Sequence, residues 1–320
     1  MSTQTRTFAD VFRSISENVQ RVVHGKPEAV ELALICMLAE GHLLVEDVPG
    51  VGKTSLAKAL AASVECTWKR VQFTPDLLPS DLVGVSVWQR SNDSFQFHRG
   101  PMFANIVLAD EINRASPKTQ SALLEAMEER QVTADGQTFR LQTPFMVIAT
   151  QNPVEQEGTY RLPESQLDRF LLRISLGYPS RDAELSILDS MGSNETLVGL
   201  SPVATSADVL AMIDAVKGVH IAPALKGYLV DLSETSRRHP GLALGLSPRA
   251  TLQLARAIRA QAAARGRRYA TPDDVKAIAG PVLSHRVLVR HEAQMQGLTG
   301  AQAVDEVLRS VPVPMVDEVR

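Results

Sequence analysis

Leu43-Leu44-Val45-Glu46-Asp47-Val48-Pro49-Gly50-Val51-Gly52-Lys53-Thr54 decides how the rest of the chain reads. A short apolar run from His42 to Val45 enters a glycine-bearing loop, and a helical pattern over Lys53–Val64 leaves it. A phosphate-binding loop requires this order of strand, loop and helix. In the loop Pro49-Gly50-Val51-Gly52, the glycines let backbone N–H groups turn inward around phosphate oxygens. Lys53 supplies a point charge for β and γ phosphates, Thr54 offers a hydroxyl to Mg²⁺, and Ser55 continues the first turn of a helix whose positive end faces the site. One position departs from the pattern, because Asp47 stands where its first glycine would be. A short polar side chain can close that turn. A tight turn with a chance Gly-Lys-Thr is the plain alternative.

Downstream, Asn105-Ile106-Val107-Leu108-Ala109-Asp110-Glu111 is an apolar strand ending in two acids. After a phosphate loop, such a pair serves to hold Mg²⁺ through water (Asp110) and to polarise the attacking water (Glu111). Further apolar runs occur at Arg70–Phe73, Phe145–Thr150 and Leu171–Leu176, with helical patterns between them such as Pro117–Glu129 behind the cap Ser116. Strands alternating with helices predict an α/β fold, a mostly parallel sheet covered on both faces. Two hairpins interrupt the alternation, Val85–Trp88 with Phe95–His98, and Gln131–Thr133 with Thr138–Arg140, the second closed by Asp135-Gly136. The character changes near Tyr178-Pro179-Ser180. Beyond it no strand is expected, and helical patterns cover 181–191, 207–217, 223–238, 249–265 and 273–285. The chain is therefore expected to divide into an α/β domain, 1–180, and an α-helical domain, 181–320, with the functional cleft between them.

Composition excludes several classes. The 320 residues carry a net charge of -3, which gives no hint of a polyanion partner. Cys36 and Cys66 sit among apolar neighbours, the N-terminus lacks a signal-peptide profile, and no apolar run is long enough to cross a bilayer. Those features suit a reducing, cytoplasmic setting with no transmembrane segment.

The joint order of the motifs resembles AAA+ ATPases, and within them the MoxR family. The resemblance rests on Leu44 to Thr54, Asp110-Glu111-Ile112-Asn113-Arg114-Ala115, Ala149-Thr150-Gln151-Asn152-Pro153 and Leu162 to Phe170. It implies a P-loop domain with a helical lid, and a ring, usually a hexamer, that hydrolyses ATP with Mg²⁺ at subunit interfaces. It also implies roles for single residues. Asn152 resembles sensor 1, which positions water at the γ-phosphate, although Asn-Pro is also an ordinary turn. Arg169 resembles the arginine finger that reaches a neighbouring subunit, with an intrachain ion pair as the alternative and Arg114, Arg161 and Arg173 as rivals. Arg249, in the first turn behind the cap Ser247, resembles sensor 2, an arginine on the γ-phosphate from the lid. Val22, Val23 and Gly25 resemble the adenine pocket, though core packing accounts for the valines equally well. The family further implies chaperone-like maturation of protein complexes, with companions bearing a von Willebrand factor A domain and sometimes metal-centre insertion. The ATPase subunit of a metal chelatase would look much the same. A DNA-acting motor fits less well, because neither hairpin tip is lysine-rich and nucleic acid as a partner favours basic tips.

Overall fold

The structure, a computed structural model, describes residues 6–48, 50–152, 160, 162–190 and 200–314; Pro49, Pro153 and Arg161 lie outside them. Two helices, α1 (Phe8–Gln20) and α2 (Pro27–Leu38), precede the strand β1 (Leu43–Glu46), and α3 (Lys53–Ser63) follows it. Next come β2 (Trp68–Gln72), the short α4 (Pro79–Val83), and a hairpin of β3 (Gly84–Gln89) and β4 (Ser94–Arg99). β5 (Ile106–Asp110) and α5 (Pro117–Glu129) lead to a second hairpin, β6 (Gln131–Ala134) and β7 (Gln137–Arg140). β8 (Met146–Gln151), α6 (Glu164–Leu167) and β9 (Leu172–Ile174) complete this part.

β2, β5, β8, β1 and β9 form one parallel sheet in that spatial order. Every residue of β5 and the first five of β8 are buried, as apolar runs inside a two-faced sheet require. At the outer edge, β2 exposes Lys69 and Arg70, charges that discourage pairing with a further strand. The phosphate loop leaves the carboxyl end of β1, and β8 lies between it and the acid-bearing β5. α4, α5 and the base of both hairpins cover one face through Leu82, Phe103, Leu123 and Val132. In the second hairpin Asp135 and Gly136 both take positive φ, 50° and 75°, the turn that Asp-Gly favours.

The helical part comprises α7 (Arg181–Ser190), α8 (Ser206–Lys217), α9 (Pro223–Arg238), α10 (Pro248–Ala264), α11 (Pro272–Leu283), α12 (His291–Met295) and α13 (Gly300–Ser310). Asp274 Oδ2 accepts from both the Thr271 N–H and its hydroxyl at the start of α11, and the Ser247 hydroxyl accepts the Ala250 N–H at the start of α10. Three features differ from expectation. An antiparallel ribbon, β10 (Leu242–Leu244) with β11 (Leu288–Val289), joins the two ends of the α10–α11 pair. Strands of three and two residues are too short to show a period. α12 and α13 also lie beyond the expected patterns, although Thr299 and Gln302 form a capping box that marks the start of α13.

The helical part packs tightly on the α/β part. A single buried cluster runs from Val11 and Val30 through Leu43 and Leu56 to Leu254 and Ile278, so α1, α2 and α3 share one core with α10 and α11. No helix among the described residues is long and apolar enough to cross a membrane.

Candidate active site

Gly50 and Gly52 both adopt left-handed conformations, φ 85° and 95°, with open space where a Cβ would stand. A side chain would be strained at either place, and the empty cradle leaves the loop amides accessible. The first helical bond of α3 runs from Leu56 N–H to Gly52 O. The amides of Lys53, Thr54 and Ser55 therefore have no intrahelical acceptor and form the positive end of the helix. The largely buried Lys53 ammonium turns back to donate to the Asp47 carbonyl at 2.8 Å.

Asp47 explains its own departure from the glycine pattern. Its Oδ2 accepts from Leu176 N at 2.6 Å, Gly177 N at 2.7 Å and Ser175 Oγ at 3.0 Å. Its Oδ1 accepts from Val48 N at 3.1 Å. Burial alone would raise this carboxyl, but the hydrogen bonds from Gly177, Ser175, Leu176 and Val48 outweigh it and hold the group below its usual range. The side chain thus ties the loop to the end of β9, a bond that glycine could not make.

At the neighbouring strand ends the two acids are held by residues that sequence reasoning missed. Arg70 on β2 meets Asp110 Oδ2 at 2.6 Å, and the Thr150 hydroxyl on β8 donates to Asp110 Oδ1 at 2.5 Å. The same hydroxyl accepts the Glu111 N–H at 2.9 Å. Glu111 itself sits in the left-handed region, φ 57° and ψ 51°, a cost of about 1–3 kcal/mol for a non-glycine residue. Gln72 and Arg114 reach its Oε2 at 2.8 and 2.9 Å. Asn152 follows directly on β8 and is buried at the same edge. Two β2 residues, alternating with Val71, could have been suspected as site groups only with the β2–β5 pairing in hand. Replacing Thr150 with the near-isosteric valine should strand Asp110 Oδ1 and the Glu111 amide. That should lower unfolding stability by about 1–3 kcal/mol, seen as an earlier midpoint in urea; an unchanged midpoint would deny the hydroxyl this clamping role.

Carboxylates, Thr54 and the cradle fit a nucleotide with Mg²⁺. The loop is open, the helix start faces it, and Asp110 is a buried acid whose Arg70 partner has a side chain 47% exposed and free to give way. Mg²⁺ is usually bound by one or two carboxylates plus substrate phosphates rather than by an all-protein cage.

Gly25, φ 70°, lies against the start of α7, where an added Cβ would come within 3.1 Å of Ala183 Cβ. Val23 is buried in the main core, so packing accounts for it, and Val22 is half-buried against the same cluster.

Two arginines depart from the expected arrangement. Arg169 Nε pairs with Glu128 Oε2 at 2.9 Å, and Arg249 Nη1 with Glu128 Oε1 at 3.0 Å. They line a cavity of about 230 Å³ together with Glu40, His42 and Arg130. His42 precedes β1 and accepts the Leu171 N–H on its carbonyl just before β9, so this cavity lies at the amino edge of the sheet. The phosphate loop lies at the carboxyl edge, about 16 Å away along the strand. A cavity of about 700 Å³ does lie between the two parts, bordered by Gly25, Glu46, Arg173, Gly280 and Ser284, but Arg249 does not line it and does not meet Lys53 of its own chain. The helical part is fused to the α1–α3 layer, and that packing carries the start of α10 to the far edge.

A parallel sheet with a phosphate loop on its fourth-placed strand, an acid pair two strands away and a helical lid defines an AAA+ ATPase. A family model described as "ATPase family associated with various cellular activities (AAA)" matches residues 42–172, and an AAA lid domain model matches 234–307. Chaperone MoxR1 of Mycobacterium tuberculosis is 40% identical over 96% of this chain and 83% of its own. Protein MoxR of Paracoccus denitrificans is 31% identical over 95% and 96%. A crystal structure from Cytophaga hutchinsonii, provisionally described as an ATPase, superposes with a TM-score of 0.89 at 36% identity, covering 96% of both chains. The chain belongs to the MoxR family of AAA+ ATPases.

Proposed function

We propose that this chain works as a ring, usually of six copies, in which each nucleotide is held by one copy and completed by the next, and that ATP turnover drives remodelling of a protein client. The observation that carries the reading is the separation just described. Lys53, Asp110, Glu111 and Asn152 gather at one edge of the sheet, and Arg169 and Arg249 gather at the other. Neither arginine can serve its own phosphate loop, whereas an adjacent copy packed edge to edge brings them to it. Of the rivals, Arg114 pairs with Glu111 and Arg173 with Glu46 at the end of β1, so both stand at the carboxyl edge beside their own phosphate loop and not at the far edge with Arg169.

In this reading Lys53 exchanges the Asp47 carbonyl for β and γ phosphate oxygens, and the amides of the loop and the α3 start hold the rest. Thr54 and Asp110 would hold Mg²⁺, which supplies neutralisation of phosphate charge. Glu111 polarises the attacking water and accepts its proton, Asn152 orients that water, and Arg169 with Arg249 of the next copy neutralises charge developing on the γ-phosphate. Val22 and Gly25 would border the adenine beside α7. The α/β unit to about residue 180 and the helical unit beyond it act together.

A protein client is favoured over nucleic acid by the hairpins. Phe97 and Phe139 stack at 4.5 Å and bind the two hairpins to each other, so those aromatics serve packing. Trp88 and Phe95 pair across the first hairpin at 5.0 Å yet remain exposed, Phe95 by 71%. An exposed aromatic tip without lysines suits contact with polypeptide. The free thiols Cys36 and Cys66, both pushed up by burial, are in keeping with a cytoplasmic setting. A companion with a von Willebrand factor A domain, and maturation of a metal centre, are proposed from the MoxR relatives.

Glu111→Gln tests the reading. The variant should bind ATP while turning over about 100-fold slower or worse, and should hold its client when purified with ATP from the native host. Mass spectrometry of the retained material should identify a protein complex. Recovery of nucleic acid alone would overturn the protein-client reading, and turnover at the parent rate would remove Glu111 from the chemistry.

A further inference from the structure

Arg286 is a charged residue with almost no exposure, its side chain 1% accessible, three residues beyond the end of α11 in the helical part. Most of its guanidinium contacts lie in the α/β part. Nε donates to Asp168 Oδ1 at 2.8 Å, Nη2 to the Asp168 carbonyl at 3.2 Å and to the Phe170 carbonyl, and Nη1 to the Leu171 carbonyl at 3.1 Å. Another bond returns to the Val282 carbonyl in α11. The backbone groups it grips flank Arg169 on both sides. Five donors in one rigid plane are what such a spread of acceptors needs. Burial lowers the guanidinium to about 10, outweighing the raising effect of Asp168, so it stays charged at neutral pH. A buried ion is a poor choice for packing alone, because apolar side chains of similar volume usually serve stability as well.

The contacts continue outward. Asp168 Oδ2 faces Arg249 Nε at 3.7 Å, Arg249 shares Glu128 with Arg169, and the chain of charges ends at the surface. We propose that Arg286 is a positioning residue for the interface arginines: from the helical part it fixes segment 168–171, and through it the aim of Arg169 at the neighbouring copy's nucleotide. The buried guanidinium cannot reach a phosphate itself and acts through Arg169. This rests on the proposed action of Arg169 in trans.

Arg286→Gln and Arg286→Lys test it; lysine keeps the charge and loses the planar fork. Both should bind nucleotide about as tightly as the parent, with KM little changed and kcat lower by about 10- to 100-fold, as for a misplaced catalytic group. Mixed with Lys53→Ala subunits, which lack a working phosphate loop and keep an intact finger segment, either variant should recover turnover. Arg169→Ala mixed with Lys53→Ala is the control for action in trans. Recovery in the control but not in the Arg286 mixtures would overturn the positioning role alone. Failure of the control would remove the trans reading and this inference with it. Loss of nucleotide binding in both Arg286 variants would make Arg286 a folding residue and overturn the inference, as would an unchanged kcat.

Discussion

Lys53→Ala should lose measurable ATP binding. The ammonium sits in the first turn of α3, largely buried, with the Asp47 carbonyl as its contact at 2.8 Å. In the nucleotide complex it would make charge-assisted bonds to phosphate, each worth about 1.5–3 kcal/mol. Two such bonds correspond to a loss of about 100-fold or more in affinity. The fold should survive, because alanine is a good helix former and the loop remains tied to β9 through the Asp47 side chain. Titration with a fluorescent ATP analogue checks the outcome, and affinity equal to the parent's would defeat the phosphate-loop assignment.

Arg169→Ala should leave nucleotide affinity near the parent's and lower turnover by about 1,000-fold or more, the scale of an arginine finger. The competing explanation is that Arg169 only pairs with Glu128. Both side chains are about one-third exposed, at 30% and 36%. Such a pair contributes at most about 1 kcal/mol to stability and nothing to chemistry. Glu128→Gln separates the two accounts, because it weakens the same pair and spares the guanidinium. If Arg169 is a finger, turnover collapses in the first variant and persists in the second. Because the finger acts on another copy, parent turnover per subunit should also rise with protein concentration. Equal turnover in Arg169→Ala and the parent would leave only the ion pair.

Much of the α/β part was legible because its signals are local. The strand–loop–helix around Lys53 and the acids after Ile106–Ala109 lie within short windows, where glycine, lysine and carboxylate chemistry can be read directly. The helix starts at Ser116, Ser247 and Thr271 were legible for the same reason, since a cap and its partner are three residues apart. The ribbon of β10 and β11 was not, because its pairing joins Leu242 to Val289 and neither strand is long enough to show alternation. Arg70, Gln72 and Thr150 gain their roles from parallel neighbours across the sheet, and a lone polar residue near a strand end carries no mark of what will lie beside it. Arg286 was hidden for a stronger reason: in sequence it is an ordinary arginine after a helix, and only packing buries it against segment 168–171.

Sequence alone determined the family, the strand–loop–helix around Lys53 and the strand that ends in Asp110 and Glu111, because those motifs are contiguous and their pattern needs particular residue types at close spacing. Tertiary structure alone decided where the arginines stand. A residue's place at the carboxyl or amino edge of a parallel sheet depends on how strands and helices far apart in the chain pack together. Here a core shared by α1–α3 with α10 and α11 sets Arg249 beside Arg169 and away from Lys53.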